Sequence, residues 1–80
     1  MKGLYIAYKY LGNEEHDIKP YESYIIYYVT DEEYKNNLIK QETLLKIYED
    51  MRDIVSSYTN TDVYNKDIII LNMIGTFTDE

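Results

Sequence analysis

Residues 41–58, QETLLKIYEDMRDIVSSY, decide the fold. Leu44, Tyr48, Met51, Val55 and Tyr58 recur at spacings of four and three, the period of an amphipathic helix. Leu45, Ile47 and Ile54 widen that stripe to the breadth a helix needs to cover a sheet. Glu42, Lys46, Glu49 and Asp53 fall on the opposite face and predict a solvated surface. Glu42 and Lys46 also form an i,i+4 pair in the favourable order, worth about 0.3 kcal/mol. No other stretch carries a long helical period, so any core must form against this one.

Three strand patterns surround it. Gly3–Leu11, GLYIAYKYL, places Leu4, Ile6, Tyr8 and Tyr10 on one face and Tyr5, Ala7 and Lys9 on the other. Residues 12–20, GNEEHDIKP, are loop, and Pro20 holds the next strand back until Tyr21. Tyr21–Thr30, YESYIIYYVT, sets Tyr24, Ile26 and Tyr28 against Ile25, Tyr27 and Val29, so both faces are apolar: one meets the helix, and the other is either covered by a partner or left as an exposed aromatic surface. Thr30 with Glu33 three residues on is a capping-box pattern, and Asp31, Glu32 and Glu33 suit the positive end of a helix dipole. Asn36 and Asn37 interrupt that start, which predicts helix over 37–58 with a separate short turn at 31–36.

Residues 59–66, TNTDVYNK, read as loop. Asp67–Phe77, DIIILNMIGTF, is the last strand. Ile68, Ile69, Ile70 and Leu71 in a row predict burial on both faces at its start, and Gly75 marks a bulge or the end of regular pairing. Thr78, Asp79 and Glu80 read as a polar, frayed tail. The reading is one α+β domain over residues 1–80, a two-layer ββαβ unit. A three-stranded, mainly antiparallel sheet carries one long helix packed on one face. The third strand pairs antiparallel beside the first, with a right-handed parallel crossover to the second as the alternative.

Composition narrows the function classes. A chain of 80 residues buries only about 60–65% of its unfolded surface and is marginally stable without a staple. The absence of cysteine excludes a disulfide or a thiolate metal site. No apolar run reaches the roughly 20 residues that span a bilayer, and Lys9 and the tyrosines interrupt any signal-peptide core at the start, so a cytoplasmic location is expected. Fifteen acids against eight bases give a net charge of −7, which repels nucleic-acid phosphates and anionic lipid. Such a surface steers toward a basic protein cleft, although solubility alone accounts for an acidic chain equally well. Eleven tyrosines beside one Phe and no Trp point to an interface, or to half-buried strand positions in a chain of AT-rich coding.

Chemistry is sparse. Nucleophilic catalysis needs a nucleophile beside a base; there is no Cys, and the only base of the right kind, His16, sits in an acidic loop, so an enzyme ranks last. Gly3, Gly12 and Gly75 are isolated and make no phosphate cradle. Glu14-Glu15-His16-Asp17 has the ligand types for a divalent ion, but four adjacent residues without a second ligand group read as a solvated loop. No metal and no cofactor are expected. What remains is spaced negative charge: Glu14, Glu15, Asp17 and Glu22; Asp31, Glu32 and Glu33; Glu49, Asp50 and Asp53. Acids spaced on a rigid small domain imitate a phosphate backbone. Glu14, Glu15, Asp17, Asp31, Glu32, Glu33, Glu49 and Asp53 are therefore the candidate partner-binding acids, with Tyr24 and Tyr27 as aromatic anchors.

The opening MKxxYIxYxY (Met1–Tyr10), a second Tyr/Ile strand, one helix and a closing xIIILN (Asp67–Asn72) together resemble small proteins encoded by bacteriophages of AT-rich hosts, among them anti-CRISPR and other anti-defence inhibitors. The resemblance spans most of the chain and lies in architecture and composition. It implies a compact, acidic, non-enzymatic phage protein that inhibits a host defence protein through that protein's basic nucleic-acid-binding cleft, acting in the host cytoplasm. Two other classes stay open. One is a homodimer joined through tyrosine-rich faces or an edge strand. The other is a sponge for a small nucleotide signal, with tyrosines stacking on bases.

Overall fold

The structure, a computed structural model, describes residues 2–36 and 39–79, with backbone alone for Asn36 and residues 74–79. Strands β1 (Lys2–Tyr10), β2 (Tyr21–Val29) and β3 (Ile68–Asp79) form one sheet in the order β2-β1-β3. Both neighbours run antiparallel to β1, which settles the pairing of the third strand in favour of the first. Helix α1 (Asp31–Asn36) and the long helix α2 (Gln41–Thr59) follow β2. The fold is thus a two-layer α+β unit, its sheet covered on one side by α2.

The core lies between β1 and α2. Ile6 and Tyr8, with Leu4 and Tyr10 at the ends, meet Ile47, Met51 and Val55, and the central members of both sets are shut off from solvent. Burial of each such side chain stabilises the fold by about 1.5–3 kcal/mol. The helix stripe is narrower than its sequence predicts. Tyr48 packs against the core as expected, but Leu45, Ile54 and Tyr58 are exposed, because a three-stranded sheet is wide enough to cover only the line through Ile47, Met51 and Val55.

The helical segment is divided, and the division has a chemical cause. Thr30 caps α1: its hydroxyl accepts from the Glu33 N–H at 3.1 Å and donates to Glu33 Oε1 at 3.2 Å. The other carboxylate oxygen of Glu33 reaches forward to α2, accepting from the Thr43 hydroxyl at 2.8 Å and from the Lys40 N–H at 3.4 Å. Lys40, the residue preceding α2, is extended and supplies no side-chain cap of its own. Glu33 therefore serves the first turn of α2 from outside, where the helix dipole favours an anion. The helix expected over 37–58 begins at Gln41; Asn37 and Leu38 of that expectation lie outside the described residues. At the far end Asn60, with φ 57°, closes the helix through its N–H to the Ser56 carbonyl at 2.8 Å.

The aliphatic run of β3 is not buried on two faces. Ile68 is buried and Ile70 is partly buried against the core, whereas Ile69 and Leu71 are about half exposed. The register explains why a later residue of opposite parity, Met73, also faces inward. Tyr8 pairs with Ile70 and Ala7 with Asn72, so Leu71 is an extra residue that shifts the phase of the strand. A second irregularity follows Gly75, between the pairs Leu4–Gly75 and Lys2–Asp79, in keeping with the bulge read at that glycine. The strand takes in Thr78 and Asp79, which the sequence assigns to a frayed tail.

Candidate interaction surfaces

The acidic residues are spread along the molecule. Asp31 and Glu32 stand exposed at the start of α1, and Glu49, Asp50 and Asp53 on the outer side of α2. Glu14, Glu15 and Asp17 project from the β1–β2 loop at the opposite end. α2 starts beside Glu33 and ends beside that loop. Its 19 residues at about 1.5 Å each separate the two end groups by roughly 28 Å, with Glu49 and Asp53 between them. Among the described residues no three His, Asp or Glu side chains converge on one point.

The loop that presents Glu14, Glu15 and Asp17 is built by its own backbone. Asn13 and Ile18 exchange two hydrogen bonds of 2.8 Å, and the Asn13 side chain accepts from the His16 N–H at 3.2 Å. A single turn of 3-10 helix, Glu14–His16, and Asp17 at φ 55° close the loop and leave its carboxylates exposed. Gly12 is required here. Its φ is +86°, and a Cβ would lie 2.7 Å from the Ile18 carbonyl oxygen.

Glu33 does not belong to this outer surface. It is 7% exposed, with its carboxylate engaged by Thr30, Lys40 and Thr43. The hydroxyl of Thr43 holds its pKa below the usual carboxylate value against the opposing effect of burial, and the Lys40 and Thr30 hydrogen bonds add to the lowering. The capping-box cue, Thr30 with Glu33 three residues on, identified the helix start and the acid that turns back, but not the reach of that acid to Thr43.

Tyr24 and Tyr27 lie on opposite sides of the sheet, so they cannot anchor the same contact. Tyr27 packs against the core on the helix-covered side, and its pKa is raised by burial and then by Asp50, Glu33 and Glu49. Tyr24 is 56% exposed on the open side and stacks on Tyr5, with ring centroids 4.9 Å apart. Ile26, Tyr28, Ile69 and Leu71 are exposed too. The β1–β2 register places Ile26 and Tyr28 on the open face with Tyr24, and the β1–β3 register adds Ile69. The charged side chains that the register brings to this face are Lys9 and Glu22, paired across β1 and β2. Three strands at about 4.8 Å spacing and nine residues at about 3.3 Å make a footprint of roughly 14 by 30 Å.

A third feature takes in only Asp17 of the candidate residues singled out from the sequence. Where the last turns of α2 meet the β1–β2 loop, a cleft of about 910 Å³ opens between Tyr21, Ile54 and Tyr58, with Asp17 and Lys19 also lining it. The rings of Tyr10, Tyr21 and Tyr58 form a chain from the core to the surface, each step 5.6 Å between centroids. Tyr58 ends that chain 79% exposed. Its four-and-three spacing assigns it to the buried stripe. The signal to the contrary is the Thr59-Asn60 helix stop, which leaves Tyr58 in the final turn. No known family, no curated protein and no solved structure matches the chain.

Proposed function

We propose that this protein is a small, non-enzymatic binding module that occupies a basic, nucleic-acid-handling site on another protein, in the manner of a phage-encoded inhibitor of host defence. The observation that supports this reading is the distribution of charge. Exposed carboxylates run the length of the helix side, from Asp31 and Glu32 through Glu49 and Asp53 to the Glu14–Asp17 loop, spaced rather than clustered. Spaced carboxylates on a firm scaffold meet a surface built to take successive phosphates, and they speed association with it at low salt. The test is capture of bacterial proteins at low and high salt, with duplex DNA as competitor. A basic protein displaced both by salt and by DNA, and not captured by the Glu49→Lys/Asp53→Lys variant, supports the reading; indifference to DNA and to charge reversal overturns it.

A second reading is favoured by the open sheet face. Tyr24, Ile26, Tyr28 and Ile69 present exposed apolar surface, and the charges that the register brings to it among the described residues, Lys9 and Glu22, are opposite and paired. A second copy of the chain meets no charge repulsion there, despite the overall charge of −7. Mass that rises with concentration and falls back on Tyr24→Asp supports a symmetric dimer through this face. A monomer at every accessible concentration removes it.

A further inference from the structure

We infer that the cleft at the C-terminal end of α2 is a receiving site for an arginine side chain of a basic polypeptide. This inference rests on the binding reading above and gives it a point of attachment. The argument begins with the walls. Tyr21 and Tyr58 stand edge to face, 5.6 Å apart and inclined at 62°, and Ile54 is exposed beside them. Two phenol rings set at an angle, one open to solvent, offer a π face to a planar cation.

The charged side chains lining the cleft, Asp17 and Lys19, offset one another, and the end of α2 tips the balance toward a cation. The last turn of α2 carries no basic residue, and Thr59, the final residue of the helix, lines the cleft. The negative end of the helix dipole is therefore directed at this space without a cation of its own turn to balance it. Asp17, held at φ 55° in the loop opposite, adds a full carboxylate from the second wall. Lys19 also lines the cleft and is exposed, with the opposite charge. That opposition makes the sign of the guest measurable. A cation gains when Lys19 is neutralised and loses when Asp17 is; an anion such as a nucleotide phosphate shows the reverse. The volume, about 910 Å³, exceeds one side chain and accommodates an arginine with its neighbours in an extended segment.

The experiment titrates the full chain with a hexa-arginine peptide and, at matched ionic strength, a hexa-lysine peptide, followed by calorimetry and by chemical shifts at Tyr21, Ile54, Tyr58 and Glu49. The inference requires tighter binding of the arginine peptide, with shifts centred on Tyr21, Ile54 and Tyr58. Tyr58→Ala weakens it roughly three- to tenfold while Tyr58→Phe does not, since the ring and not the hydroxyl receives the cation. Asp17→Asn weakens binding and Lys19→Ala strengthens it. Tyr58, Asp17 and Lys19 are all exposed, so these variants fold as the parent does. Reversed effects of Asp17→Asn and Lys19→Ala overturn the inference in favour of an anionic guest. Binding unaffected by Tyr58→Ala but lost in Glu49→Lys/Asp53→Lys overturns it while leaving the proposed function standing, and absence of binding to either peptide counts against both.

Discussion

The two faces of this small sheet differ in what their side chains are for. On the helix-covered side, Leu4, Ile6, Tyr8 and Tyr10 are consumed by the core, and beyond them the outer surface of α2 carries Glu42, Lys46, Glu49, Asp50 and Asp53 beside the exposed Leu45, Ile54 and Tyr58. On the open side, Tyr24, Ile26, Tyr28 and Ile69 are apolar and uncovered. A helix separates polar from apolar residues by its 3.6 period, so one stripe is buried and the rest is free to carry charge. A strand alternates with period two, and β2 is apolar at both phases. The folded monomer uses only one of them. The comparison teaches that the apolar residues of β2 exceed what this core needs, and that the charge lies elsewhere.

Substitutions rank by how deeply they cut into that arrangement. Met51→Ala, beneath the helix and shut off from solvent, should cost about 3 kcal/mol in urea unfolding, because the cavity joins both layers and neither can close it. Glu33→Ala should cost roughly 2 kcal/mol, since it removes a charged acceptor shared by the Thr30 and Thr43 hydroxyls at two helix starts. The same group imposes a pH dependence. Its folded pKa lies below the usual carboxylate value, so its contribution is fully present above that usual value and is lost as pH falls through the folded pKa. Urea midpoints measured from pH 6 downward should therefore fall for the parent and fall less for Glu33→Ala.

The tyrosine pair sharpens the contrast between faces. Tyr27→Asp places a carboxylate among Asp50, Glu33 and Glu49 on the covered side and should lower stability by about 1–2 kcal/mol, more at low salt than at high. Tyr24→Asp, on the open side, should cost less than about 1 kcal/mol and act instead on self-association, read by sedimentation. Equal losses for the two would erase the distinction between the faces. Smallest in stability, within about 0.5 kcal/mol, is Glu49→Lys/Asp53→Lys, whose effect should appear in the association rate with a basic partner and in its salt dependence.

Much of the fold was legible along the chain because it follows from periodicity. The phase of β1, the extent of β2, the Thr30 cap and the central residues of α2 all lie where period two, period 3.6 and capping chemistry put them. The candidate site was less legible. Period two already put Tyr24 and Tyr27 on opposite faces, and the capping box singled out Glu33 as the acid that turns back, but nothing local showed that its second oxygen reaches Thr43. The same is true of β3, where four successive aliphatic residues carry no mark of the bulge at Leu71 that settles which of them face the helix.

By itself the sequence determined an acidic, cysteine-free α+β unit with one covering helix and apolar character on both sides of its second strand. Tertiary structure alone decided the rest: that Glu33 is a strut between two helix starts, that Leu45, Ile54 and Tyr58 escape burial, and that Tyr58 meets Tyr21 to wall a cleft beside Asp17. The physical reason is range. Propensity, period and capping act between residues a few positions apart, whereas burial of a given side chain depends on how wide the opposing layer is and where it ends.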